Sequence, residues 1–173
     1  MKSDELRALQ APLKQQYRSE PDAALITLRA EGRLGEGITC KVQTGKALVE
    51  AGLHPATGGS GFLACSGDML LEALVACAGV TLSSVATATG IEVRDGIVRA
   101  EGLLDFRGTL HVGEDVPVGF QQVDLHFDLD TDASDEQLAK LLQLTERYCV
   151  VYQTLRNPPT MHITPHRVPA SSE

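Results

Sequence analysis

The chain has 173 residues, 43% of them hydrophobic and 22% charged, which suits one domain with its own core and argues against disorder. With 23 acidic against 15 basic residues the formal net charge is −8, and there is no basic block, so a nucleic-acid binder or a protein held on anionic membranes is not expected. Four cysteines without a CxxC pair exclude a disulfide scaffold, a zinc ribbon and a thioredoxin-type motif. The polar start MKSDELRALQ lacks a signal-peptide core, so a cytoplasmic protein is expected.

Leu6, Leu9, Leu13 and Tyr17 recur at helical spacing, so residues 1–22 read as a helical arm with a break at Pro12. Residues 23–169 read as the domain and 170–173 as a frayed tail. A strand is predicted over Ala24–Ala30, a hairpin over Gly32–Gly37, and further strands over Ile38–Val42 and Lys46–Glu50. His54 to Gly61 is a loop, rich in glycine and proline. Gly67 to Thr89 is then a long helix, apolar on nearly every side and therefore central, with Ser66 as N-cap and Gly90 as its stop. Asp68, Glu72 and the hydroxyl cluster at Ser83, Ser84 and Thr87 argue against a membrane span.

Ile91–Arg94 reads as a strand that turns through Asp95-Gly96 into a second, Ile97–Phe106. Gly119–Asp130 alternates strictly, with Val123, Leu125, Phe127 and Leu129 on one face. Ser134 and Gln137 form a capping box that opens an amphipathic helix to Tyr148 or Cys149. Val150–Arg156 is a second helical piece, and Thr160–Val168 a last strand. Hairpin-linked strands and helices in two groups predict an α+β fold with an antiparallel sheet around the long apolar helix.

Candidate chemistry is sparse. His162 and His166 carry a spacing that suits a metal on a helix, but in an extended segment their rings stand ~13 Å apart, so no metal site is expected. Gly58-Gly59-Ser60-Gly61 lacks the lysine of a phosphate loop, and no Gly-x-Ser-x-Gly elbow is present. Cys77 lies midway along the apolar helix and Cys149 at the end of the amphipathic one; by residue type alone each reads as a buried core thiol. Cys77 sits too far from its own helix N-terminus to be activated there, since that field fades within about one turn, so a reactive Cys77 calls for a cation from another element.

Cys65-Ser66-Gly67-Asp68-Met69-Leu70-Leu71-Glu72-Ala73-Leu74-Val75-Ala76-Cys77-Ala78 resembles the central-helix motif of the OsmC/Ohr family, the osmotically inducible and organic hydroperoxide resistance proteins. Glu146-Arg147-Tyr148-Cys149 is similar to the segment around that family's second cysteine, and Glu31-Gly32-Arg33-Leu34-Gly35 to its glycine-flanked arginine. The resemblance covers roughly residues 23–168. Val150-Val151 stands where proline often follows the second cysteine, Asp68 replaces a longer Glu, and Cys40 and Cys65 are additional.

The resemblance implies a cysteine-based peroxidase, an organic hydroperoxide reductase of oxidative stress defence. Cys77 is then the nucleophile that becomes a sulfenic acid, and Cys149 the thiol that condenses with it to a disulfide. Arg33 favours the thiolate and polarises the peroxide, and Asp68 orients Arg33. Cys65 is placed to compete as a disulfide partner. The implied partners are an alkyl or lipid hydroperoxide, an external dithiol reductant and a second copy in an intertwined homodimer, with no cofactor. Two other readings of the same residues stand beside it: a non-catalytic dimer that binds an apolar ligand, and a redox sensor without turnover.

Overall fold

The computed structural model describes residues 2–5, 8, 10–11, 19, 32–34, 39–44, 47–110 and 115–167. The fold is α+β and is organised around one long helix, α1 (Ser66–Thr89). Its stop is local: Gly90 adopts φ 72°, a left-handed conformation that glycine takes at little cost, and its N–H donates to the carbonyls of Ala86 and Thr87. Its start differs from the sequence expectation. Cys65, extended at φ −85°, is the N-cap and Ser66 the first helical residue, so no side chain caps the helix there. Asp68 in the first turn complements the free N–H groups instead.

Before α1 come β1 (Gly32–Leu34), β2 (Thr39–Thr44), β3 (Ala47–Gly52), a 3₁₀ turn at Pro55–Thr57 and β4 (Ala64–Cys65). They form one sheet in the order β1-β2-β3-β4. β1 to β3 are antiparallel, with Arg33 opposite Lys41, but β4 runs parallel to β3, an exception to the antiparallel expectation. The predicted strand over 24–30, the turn at 35–38 and most of the leading helix lie outside the described residues.

After α1 come β5 (Asp95–Leu104), a short helix α2 (Phe106–Thr109), β6 (Phe120–Asp130), α3 (Asp135–Tyr148) and α4 (Val150–Arg156). β5 and β6 pair antiparallel. β6 alternates as its sequence dictates: Val123, Leu125, Phe127 and Leu129 face inward, and Asp124, His126 and Asp128 are exposed. Asp95-Gly96, expected as a turn, lies within β5, with Gly96 opposite Leu129. Ile91 and Val93 pack on the core instead of pairing, so there is no preceding strand for the dipeptide to reverse. Arg94 fastens this segment: its N–H donates to the Asp130 carbonyl at 2.9 Å, and its guanidinium forks between Asp130 and Asp132.

α3 begins as predicted, with Ser134 Oγ accepting from the Gln137 N–H at 3.3 Å and Gln137 Oε1 from the Ser134 N–H at 2.9 Å. The last expected strand does not form: Thr160 to Arg167 carry no strand, Ile163 is 97% exposed, and Val168 lies outside the described residues. Alternation alone makes no strand without a neighbour for its backbone to pair with.

The core lies between α1, the inner face of β5–β6 and the two C-terminal helices. One cluster joins Leu82, Val85 and Ala86 to Leu141; the other joins Leu74 and Ala78 to Cys149. α1 is long and apolar enough to cross a membrane by length and composition, yet it buries a stripe in this core. Its apolarity is not fully used within one chain, because Val80 on another face is 72% exposed.

Candidate active site

Cys77 sits on the inward side of α1, one turn after Leu74 and next to Ala78, two of the helix's most buried residues. Leu141 and Thr145 form the buried face of α3, and Cys149 follows at the same helical spacing. The Thr145 hydroxyl is satisfied locally, donating to the Leu141 carbonyl at 2.8 Å. Cys149 ends α3 and opens α4. Its N–H donates to the Thr145 carbonyl and its carbonyl accepts from the Gln153 N–H, both at 2.9 Å, while its extended backbone (φ −71°, ψ 108°) breaks the helix between them.

This break brings the free N–H groups of the first turn of α4 to the Cys77 sulfur. Burial pushes the Cys77 thiol up, but the Val151 N–H, the Cys149 thiol, the Val150 N–H and the Thr81 hydroxyl together outweigh it and hold Cys77 below the ordinary thiol range. Cys149 goes the other way. Burial pushes it up, and the hydrogen bond with Cys77 and the charge on that residue add to the rise, against the opposing N–H groups of Tyr152 and Val151. The two thiols are thus in contact and unlike: one inclined to ionise, one inclined to stay protonated. Both are reduced.

The sequence expectation was a cation for Cys77. Among the described residues the groups that favour its thiolate are backbone N–H donors and neutral hydroxyl and thiol groups. Thr81, Val150 and Val151 were missed, although a helix starting directly after Cys149 was legible and always leaves N–H groups free.

The other candidates are placed as follows. Asp68 is in the first turn of α1, a rise of about 13 Å along the helix from Cys77. It lines a separate cavity of about 460 Å³ with Cys65, Leu71, Phe120 and the stacked pair His54 and Phe106. The structure therefore brings Cys77 and Cys149 together and leaves Asp68 apart from them within one chain. Arg33 lies on β1, and its side chain is outside what is described, as is that of Cys40 on β2. Cys65 is separated from Cys77 by about 18 Å of continuous helix, against the ~4.4–6.8 Å between Cα atoms that a disulfide needs, so it cannot compete within one chain. His162 and His166 lie in the exposed segment after α4, and among the described residues no group of three metal-binding side chains occurs.

A cavity of about 510 Å³ borders the cluster that holds the thiol pair, with neither thiol in its lining. Leu74, Val123, Leu125 and Tyr152 both line it and belong to the cluster that holds Cys77 and Cys149. Its wall is mostly apolar, aliphatic and aromatic, with Leu70, Phe120 and Leu155 also lining it and Arg156, Gln121 and Gln122 among its polar groups.

The chain is similar in structure to an OsmC-like protein from Mycoplasma pneumoniae (17% identity, TM-score 0.64, covering 77% of this chain and 89% of that one). It is also similar to an organic hydroperoxide resistance protein from Elizabethkingia anophelis (19%, TM-score 0.63, 78% and 91%). A third such structure is an organic hydroperoxide resistance protein from Legionella pneumophila (20%, TM-score 0.61, 78% and 92%). No curated protein matches the sequence. The family model described as OsmC-like protein matches residues 59–164, a stretch that contains α1, both thiols and every element between them. With that match over more than half its length and this fold, the chain belongs to the OsmC-like family.

Proposed function

We propose that this protein is a thiol peroxidase that reduces organic hydroperoxides in the cytoplasm, with Cys77 and Cys149 as its redox pair. The observation that carries this reading is the pair itself: thiols from two distant segments in contact, the more accessible one lowered and the buried one raised. The hydroperoxide resistance proteins among its structural neighbours support the same reading.

In this mechanism the Cys77 thiolate attacks the terminal peroxide oxygen. The O–O bond breaks, the alkoxide takes a proton and leaves as an alcohol, and Cys77 becomes a sulfenic acid. Cys149 then attacks the Cys77 sulfur, hydroxide leaves as water, and the disulfide forms. A thiol with a raised pKa stays protonated until its partner is oxidised, and that order protects the pair from premature charge repulsion. The largely apolar cavity takes the organic part of the peroxide. Arg33 polarises the peroxide and Asp68 orients Arg33. Given the separation of Asp68 from Cys77 along α1, that orienting contact is made away from the thiol. A homodimer covers the apolar face of α1 that includes Val80. An external dithiol closes the cycle.

The test is intact-mass measurement after stoichiometric cumene hydroperoxide. A loss of about 2 Da with Cys77 linked to Cys149 is expected. Unchanged mass with every thiol still titratable, or full turnover by the Cys77→Ser protein, overturns the reading. The same cavity favours a second reading, a binder of apolar ligands in which the thiols are core residues; a co-purifying hydrophobic ligand together with slow, unselective alkylation of Cys77 identifies that case.

A further inference from the structure

The two sulfurs of the proposed disulfide are not equally open to a reductant. Cys149 is 1% exposed, whereas Cys77 is half-buried. Cys149 is enclosed in the cluster with Leu74, Ala78, Val151 and Tyr152, so the core fills the space behind its sulfur. Val150, whose N–H faces Cys77, has a largely exposed side chain. A thiolate displaces a disulfide sulfur in line with the S–S bond and must reach the far side of the sulfur it attacks. Association with a second copy can only add burial, so it opens nothing at Cys149.

Resting on the peroxidase reading, we propose that the reducing dithiol attacks Cys77 and not Cys149. Its first thiolate bonds to the Cys77 sulfur, the S–S bond breaks, and the electron pair leaves on Cys149, which takes up a proton. The second thiol of the reductant then loses its proton and attacks the reductant's own sulfur in the mixed disulfide. The pair leaves on Cys77 as thiolate, and the reductant departs as a cyclic disulfide. Two electrons pass from dithiol to protein; the reductant gives up the protons of both its thiols, and of these one is matched by the proton on Cys149 while Cys77 is left ionised.

Leaving-group chemistry taken alone favours the opposite site, because attack at Cys149 expels the better leaving group, Cys77. That preference scales a rate, while a filled approach removes the reaction path. The same geometry makes a monothiol a poor reductant. It stops at the mixed disulfide on Cys77, and Cys149, held against that sulfur, expels it and restores the protein disulfide. A dithiol escapes because its second thiol is already tethered at the bond to be broken.

The experiment forms the disulfide with diamide, independently of any peroxide, and then adds cysteamine as a monothiol probe. Acid quenching at short times, labelling of free thiols with N-ethylmaleimide under denaturing conditions and peptide mapping locate the adduct. Cysteamine on Cys77 and maleimide on Cys149 are expected, in roughly tenfold excess over the reverse at the earliest times. Equal amounts, or an excess on Cys149, overturn the proposal. A parallel comparison uses 5,5′-dithiobis(2-nitrobenzoate) on Cys149→Ala and Cys77→Ala chains; equal labelling rates of the remaining member of the pair also overturn it. Where diamide forms the Cys77–Cys149 bond and hydroperoxide does not, the peroxidase reading fails and the site of attack is still read. Where neither forms it, both fall.

Discussion

Truncating Leu141 and Leu74 tests whether the core and the site are separate parts of one packed structure. Both side chains are essentially inaccessible, at 0% and 1% exposure. Each Leu→Ala change removes about three methylene-sized groups, roughly 2.4 kcal/mol of transfer free energy at ~0.8 kcal/mol per group. Leu141 is enclosed by Leu82, Val85 and Ala86, so its removal leaves a closed void and the total loss rises to ~3–4 kcal/mol. Leu74 already borders the 510 Å³ cavity, so its void opens into existing space and the loss stays nearer ~2–3 kcal/mol. The assay is urea unfolding at one fixed protein concentration, since any dimer makes stability depend on it. For Leu141→Ala the melting temperature is expected to fall by on the order of 10 °C. Alkylation of Cys77, measured per folded molecule, separates the two further: Leu74→Ala changes it and Leu141→Ala does not. A Leu141→Ala loss below ~1 kcal/mol, or a larger loss at Leu74, refutes this account of the packing.

Four further outcomes are expected. Cys149→Ser allows a single oxidation of Cys77 but stalls recycling, which single-turnover peroxide consumption against steady-state consumption reads directly; sustained turnover contradicts the resolving role. As pH rises, the pair loses its first proton from Cys77, so iodoacetamide labels Cys77 at lower pH than Cys149, and the reverse order contradicts the assigned shifts. In stability the two shifts oppose: the lowered Cys77 value favours the folded state increasingly as pH rises from its folded toward its unfolded midpoint, while the raised Cys149 value costs stability as pH rises from the unfolded toward the folded one. Gly90→Ala meets no neighbouring atom but forces a side chain into φ 72°, a loss of about 1 kcal/mol in the same urea assay; no loss means that the left-handed stop is not needed.

What the sequence determined by itself is what is written within a few residues. Gly90 after a continuous apolar run marks the end of α1, the reciprocal Ser134 and Gln137 bonds open α3, and the alternation from Val123 to Leu129 assigns the inner face of β6. Each signal depends on local backbone geometry, so it survives without knowledge of the rest of the chain. The pairing of Cys77 with Cys149 was legible only as a family resemblance, not as a spacing.

Tertiary structure decided the rest. Asp95-Gly96 has the composition of a turn and is a strand, because Ile91 and Val93 are held on the core and β6 offers Asp95 and Gly96 a partner. Thr160 to Arg167 has the pattern of a strand and is none, because a strand needs a neighbour and none among the described residues pairs with it. The difference between the two thiols is of the same kind. Cys77 is held low by N–H groups of Val150 and Val151, which belong to a helix far along the chain, and Cys149 is raised by burial beneath α1. No window of sequence around Cys77 contains Val150 and Val151, and none around Cys149 contains α1, because desolvation and hydrogen bonding act through space and are set only when the helices meet.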